Sequence, residues 1–157
     1  MSERKRPRPS LELLSRYAEM FNRSETLKFF GVRVSFPSIE RVEVRLESIR
    51  PHHRGGLGTS AVNGGVLAAI FDLAIGCTPA LLDPKRRSAT MQLSMSFERP
   101  VFGNSLRAEA RIDSARKLVL FSSARIIDAA GLECARCQGV VRISNLPWQS
   151  GESPAVN

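Results

Sequence analysis

Asn63-Gly64-Gly65-Val66-Leu67-Ala68-Ala69-Ile70-Phe71-Asp72-Leu73-Ala74-Ile75-Gly76-Cys77 opens the most apolar segment of the chain, which continues to about Leu82. From Val66 to Cys77 the run is apolar on every side, and a helix of that kind is either a core helix or a membrane span. A span needs about 20 uninterrupted apolar residues. Gly64, Gly65, Asp72 and Pro79 interrupt a segment that is already short, so the reading is a core helix. Asp72 is then the oddity, as the only charge between Arg54 and Asp83. A lone carboxylate is costly to bury unless it is paired or neutralised. Asp72 is therefore either a working group or an acid at a solvent channel or on a backbone donor.

The start of the helix carries a second signal. Asn63 is a good N-cap, and Gly64 and Gly65 leave the first-turn amides uncovered by side chains. Those amides sit at the positive end of the helix dipole and suit a developing oxyanion. Capping and tight glycine packing explain the same three residues without any ligand. Gly65 and Asp72 lie seven residues apart, about two turns or roughly 10 Å along one helix. A reacting carbonyl needs both groups within about 3 Å. Two antiparallel copies related by a two-fold axis meet that requirement, with the amides of one facing the acid of the other.

Outward from this helix the periodicity changes. Ser10 to Asn22 is an amphipathic helix with Leu11, Leu14, Tyr17, Ala18 and Phe21 on one face. Ser24 caps a short second helix that ends before Gly31. Val32, Val34 and Phe36, then Val42, Val44 and Leu46, alternate with polar residues as a hairpin. Pro51 to Val62 is a loop rich in Gly and His, and Asp83 to Arg87 is a polar loop. Four strands are expected after it: Thr90 to Glu98, Leu106 to Asp113, Lys117 to about Ile127, and Leu132 to about Ile143. The prediction is an α+β fold in which a curved antiparallel sheet wraps one long central helix, with an extra N-terminal helix. The expected division is a flexible basic arm (1–9), a single domain (10–145) and a loose tail (146–157).

The 157 residues suit one domain, and 43% hydrophobic with 24% charged residues is ordinary for a soluble protein. Cys77, Cys134 and Cys137 read as free thiols of a reducing compartment. Cys134 and Cys137 are three apart on an expected strand and point to opposite faces, which argues against redox and zinc readings. His52 and His53 are adjacent, a poor spacing for a metal site. No signal peptide opens the chain, so a cytoplasmic location is expected. The net charge of +8 attracts anions. Arg4, Lys5, Arg6 and Arg8 supply part of it as a solvated arm, and no nucleic-acid motif accompanies them. Neither nucleic acid nor membrane is expected as a partner.

The loop, N-G-G-V-L-A-A-I-F-D, the polar loop, and T-M-Q-L-S-M-S-F-E-R-P-V-F-G-N together resemble the hotdog-fold thioesterases. The branch most similar is the PaaI-like and 4-hydroxybenzoyl-CoA thioesterase group. The similarity covers about Phe29 to Ile143, and D-x-x-G at Asp128 adds to it. The resemblance implies a hotdog fold, a homodimer or homotetramer, and an acyl- or aroyl-CoA thioester as substrate, with no separate cofactor. It also implies Asp72 as the acid that activates water or attacks the carbonyl, Gly65 as an oxyanion-hole amide, and Thr90 as a hydroxyl near the water. Asn63 stands where the family usually has His, and the loop lacks the family's usual Asn. Either that Asn's work is missing here or Asn63 takes over part of it.

The expected activity is hydrolysis of an acyl-CoA or aroyl-CoA to free acid and CoA. Asp72, Asn63, Gly65 and Thr90 are the catalytic candidates, and Gly64, His53, Phe71 and Arg99 the substrate-binding ones. Lys85, Arg86, Arg87 and Arg99 could meet CoA phosphates. No metal site is expected. The alternative is a non-catalytic acyl-CoA-binding or regulatory protein of the same fold. A hydratase would want an Asp and His pair on the helix, which Asn63 disfavours.

Overall fold

The computed structural model describes residues 7–56 and 59–148. Most of the expected basic arm (1–6), Leu57 and Gly58 of the loop, and residues 149–157 of the expected tail lie outside the described residues. Helix α1 spans Leu11–Phe21, and the Ser10 hydroxyl accepts the Leu13 amide at 3.2 Å as its cap. Helix α2 spans Glu25–Phe30, capped by Ser24 and ended by Gly31 at φ +68°, a left-handed position that favours glycine. Strands β1 (Val32–Ser38) and β2 (Arg41–Leu46) form the expected hairpin. The Asn22 side chain holds α1 to β1, donating to Val34 O at 2.8 Å and accepting its amide at 2.7 Å.

The central helix α3 spans Gly64–Gly76, followed by a 3-10 turn over Thr78–Leu81. Strands β3 (Arg86–Phe97), β4 (Leu106–Arg116), β5 (Val119–Asp128) and β6 (Glu133–Pro147) complete one antiparallel sheet of order β1-β2-β4-β5-β6-β3. The sheet curves around α3, with Leu67, Ile70, Phe71, Ala74 and Ile75 buried against Val42, Val44, Ala108, Ala110, Leu120, Ile126 and Val141. Each large aliphatic or aromatic side chain fully buried there contributes about 1.5–3 kcal/mol. Thr78 ties the end of α3 to β5: its hydroxyl donates to Ile75 O at 2.7 Å and meets Ser122 Oγ at 2.8 Å. By length and composition Gly64–Leu81 is apolar enough to cross a membrane, but 56% of it is buried inside the fold.

Three strand limits differ from the sequence reading. Strand β3 begins at Arg86, inside the expected polar loop; β4 continues to Arg116; and β6 runs to Pro147 rather than stopping near Ile143. The ends of β3 and β6 pair with each other, Arg86 opposite Pro147 and Ser88 opposite Ile143. Backbone ladder bonds hold these polar ends where no apolar alternation announces a strand. Cys77, Cys134 and Cys137 are all free and buried.

Candidate functional site

Asp72 is not enclosed, contrary to the expectation of burial. It is exposed on the one face of α3 that the sheet leaves open, with Ala68, Ala69, Leu73 and Gly76 half-buried around it. It lines a groove of about 260 Å³ with Tyr17, Phe21, Gly76, Ser88, Thr90 and Trp148. Thr90 stands close to the helix: a Cβ added at Gly76 would lie 3.4 Å from its hydroxyl oxygen. That hydroxyl has no hydrogen-bond partner among the described residues. Ser88 shares the inward face of β3 with Thr90 by the period-two rule, a signal the sequence offered. Tyr17 and Trp148 reach the groove from α1 and the end of β6, and no spacing pointed to them.

The other nucleophile candidates nearby are held neutral. Burial pushes the Cys77 thiol up to about 12, against the lowering effect of its hydrogen bond with Tyr17. Burial likewise raises Tyr17, with Cys77 adding to it, and pushes Cys137 up to about 11. Among the residues that line this groove Asp72 is the only carboxylate.

The helix start lies at the opposite end of α3. Asn63 caps it, but the cap occupies one of the expected oxyanion donors: Asn63 Oδ1 accepts the Gly65 amide at 2.8 Å. The Gly64 amide has no partner among the described residues, and the space beside its Cα is open. Gly64 is thus the ready donor, and Gly65 becomes one only if the Asn63 side chain turns away. Val62 N–H donates to Val101 O at 3.0 Å, which brings the turn carrying Arg99 beside the helix start. Arg99 is exposed there.

Two expected substrate contacts are structural instead. His53 is only 2% exposed. Its Nδ1 accepts the Arg50 amide at 2.9 Å, and its Nε2 donates to Phe30 O at 2.9 Å. Burial lowers its pKa, with His52 adding to the effect. Both ring nitrogens are used by the backbone, so no atom is left for a substrate. Phe71 is fully buried in the core, because it lies on the sheet-facing side of α3, next to Asp72 in sequence but turned about 100° from it. Lys85 is exposed, Arg86 pairs with Asp83 at 3.1 Å, and Arg87 is half-buried. Among the described residues no cluster of His, Cys, Asp or Glu could hold a metal ion.

A family model described as "Thioesterase superfamily" matches residues 60–135, which takes in the helix start, α3, β3, β4, β5 and the first residues of β6. Over this stretch the chain is similar to the thioesterase superfamily. Among curated proteins none matches it by sequence. Among solved structures it is similar to a Shewanella oneidensis protein related to this superfamily, with 20% identity, a TM-score of 0.75, and coverage of 85% of this chain and 96% of that one. It is similar to the E. coli PaaI protein of the phenylacetic acid degradation operon, at 18% identity and TM-score 0.71, covering 85% and 98%. A Bacillus halodurans protein solved with CoA aligns at 23% identity and TM-score 0.69, covering 78% and 80%. At these identities the likeness shows the shared hotdog fold.

Proposed function

We propose that this protein is a member of the thioesterase superfamily and hydrolyses an acyl-CoA thioester in a site shared by two antiparallel copies. The observation that carries the reading is the lone carboxylate of Asp72 on the open face of an otherwise apolar central helix, at the end remote from the free Gly64 amide. The same open face supports a second copy as its cover. It adjoins β3, which is an edge strand whose inward side chains Met95 and Phe97 are 37% and 52% exposed in the single chain. An uncovered apolar edge of this kind is a template for pairing.

In this arrangement the thioester carbonyl oxygen rests on the Gly64 amide of one subunit. Asp72 of the partner subunit takes a proton from the attacking water, or attacks the carbonyl carbon itself to form a mixed anhydride that water then opens. The C–S bond breaks, and CoA leaves as the thiolate and picks up a proton. Thr90, with its free hydroxyl, orients the water. Arg99 of the first subunit stands beside the amide end, where the CoA phosphates would emerge. The likeness to the Bacillus halodurans protein solved with CoA supports the choice of a CoA ester. The test is thiol release from a panel of acyl-CoAs. Asp72→Asn is expected to lower turnover by about 100- to 10,000-fold with an unchanged unfolding midpoint. Equal turnover would remove Asp72 from the reaction.

One observation favours a second reading. Asn63 Oδ1 already satisfies the Gly65 amide, as in an ordinary capped helix. A non-catalytic acyl-CoA-binding protein needs nothing more. Saturable binding of an acyl-CoA without thiol release from the wild type would select it.

A further inference from the structure

A second groove lies across Tyr17 and Trp148 from the one that holds Asp72. It measures about 360 Å³, and its walls include Leu13, Tyr17 and Met20 of α1 with Pro84, Pro147 and Trp148. That volume falls in the range of about 300–1,000 Å³ usual for small-molecule sites. Tyr17 and Trp148 line both grooves, so the two adjoin at this aromatic pair. The lining is apolar apart from Arg16 and Lys85, and Arg16 is already tied to Glu12 at 2.6 Å. A sugar or a nucleotide would find almost no partner there, whereas a hydrocarbon chain would.

Trp148 is built as a yielding wall. Its backbone amide is fixed by donation to Lys85 O at 3.1 Å. Its indole N–H is buried and has no acceptor among the described residues. An unpaired interior N–H is unfavourable, and among the described residues no polar contact anchors the ring against displacement. We propose, resting on the thioesterase reading of Asp72, that the acyl chain of the substrate passes between Tyr17 and Trp148 and lies in the apolar groove beneath α1. The substrate class is then a straight acyl chain long enough to reach past the Asp72 groove, and Tyr17 and Trp148 are the residues that select it.

Trp148 is the single tryptophan of the chain, so intrinsic fluorescence reports on this wall alone. The probes are CoA, S-methyl-CoA and the non-hydrolysable thioether S-decyl-CoA, added to the intact protein. S-decyl-CoA is expected to shift the emission saturably, and the other two to leave it in place. In parallel, Leu13→Glu places a charge in the groove on the half-exposed side of α1. The ratio of kcat/KM for decanoyl-CoA to that for acetyl-CoA is expected to fall about tenfold or more; a general loss of folded protein would leave this ratio unmoved. No shift with S-decyl-CoA, an equal shift with CoA alone, or an unchanged ratio in Leu13→Glu overturns the proposal. If the wild type releases thiol from no acyl-CoA, the Asp72 reading fails by itself, and the emission arm still decides whether the groove takes an acyl chain.

Discussion

His53 shows how one buried ring ties stability to pH. Its Nδ1 accepts the Arg50 amide, so a proton placed there would set two donors against each other. Burial and the neighbouring His52 lower its pKa in the folded chain. The unfolded chain therefore binds a proton on His53 that the folded chain refuses, once the pH drops below about 6.5. The contribution is fully present above that pH and is lost as the pH falls toward the lowered folded value. Urea midpoints measured from neutral pH down to mildly acid pH should decline for the wild type. His53→Phe should start less stable at neutral pH and show a shallower decline. Parallel slopes would remove His53 as the source. The sequence placed this histidine in a loop and gave no hint of its burial, because both its partners are backbone groups from segments that carry no side-chain signal. Asp72 illustrates the opposite error. An all-round apolar helix implies cover on every face, but composition does not say whether the cover is the chain's own sheet or a second molecule.

The helix and the sheet meet closely at Gly139 of β6. A Cβ built there would lie 2.5 Å from Ile75 Cγ2 and 3.1 Å from Leu93 Cδ2. Gly139→Ala should therefore destabilise the fold by about 1–3 kcal/mol through overpacking. Ile75→Leu, which removes the offending branch methyl, should recover part of that loss in the double variant. Calorimetric or urea unfolding of the four proteins decides it, and simple additivity of the two changes would exclude contact between them. At this scale the sequence was largely legible. All six strands were expected, Ser10 and Ser24 marked the first two helix starts, and Asn63 marked the third. Alternation fails where strands end in polar or basic residues. Arg86 and Arg87 carry no apolar period, yet they belong to β3, whose partner is the extension of β6 through Pro147. That same extension delivers Trp148 to the Asp72 groove, so the error in the strand limits and the missed site residue have one cause.

For the whole molecule, acids and arginines pair along the outer face of the sheet. Arg107 and Arg125 both bind Glu109, and Arg125 also reaches Glu133 at 3.4 Å. Burial alone would raise Glu109, but hydrogen bonds from Arg125 and Arg107 hold it below the usual carboxylate range. Arg8 is likewise neutralised by Glu40 at 2.8 Å. The open apolar face of α3 and β3 is the surface most in need of a partner. If that partner is a second copy and the site is shared, two inactive variants must rescue each other. Asp72→Asn removes the acid. Gly64→Pro removes the amide donor while preserving the helix, since proline is tolerated at the first helical position. Asn63 already has the extended φ −61° and ψ 136° that a following proline requires, and the space beside Gly64 is open. Each variant alone should release almost no thiol. After co-refolding at equal amounts, half of the dimers are mixed, and each mixed dimer regains one of its two sites, so activity should return to about a quarter of the wild-type value per chain. A site confined to one chain would stay dead in every mixture, because no pairing could unite Asp72 and the Gly64 amide in the same molecule.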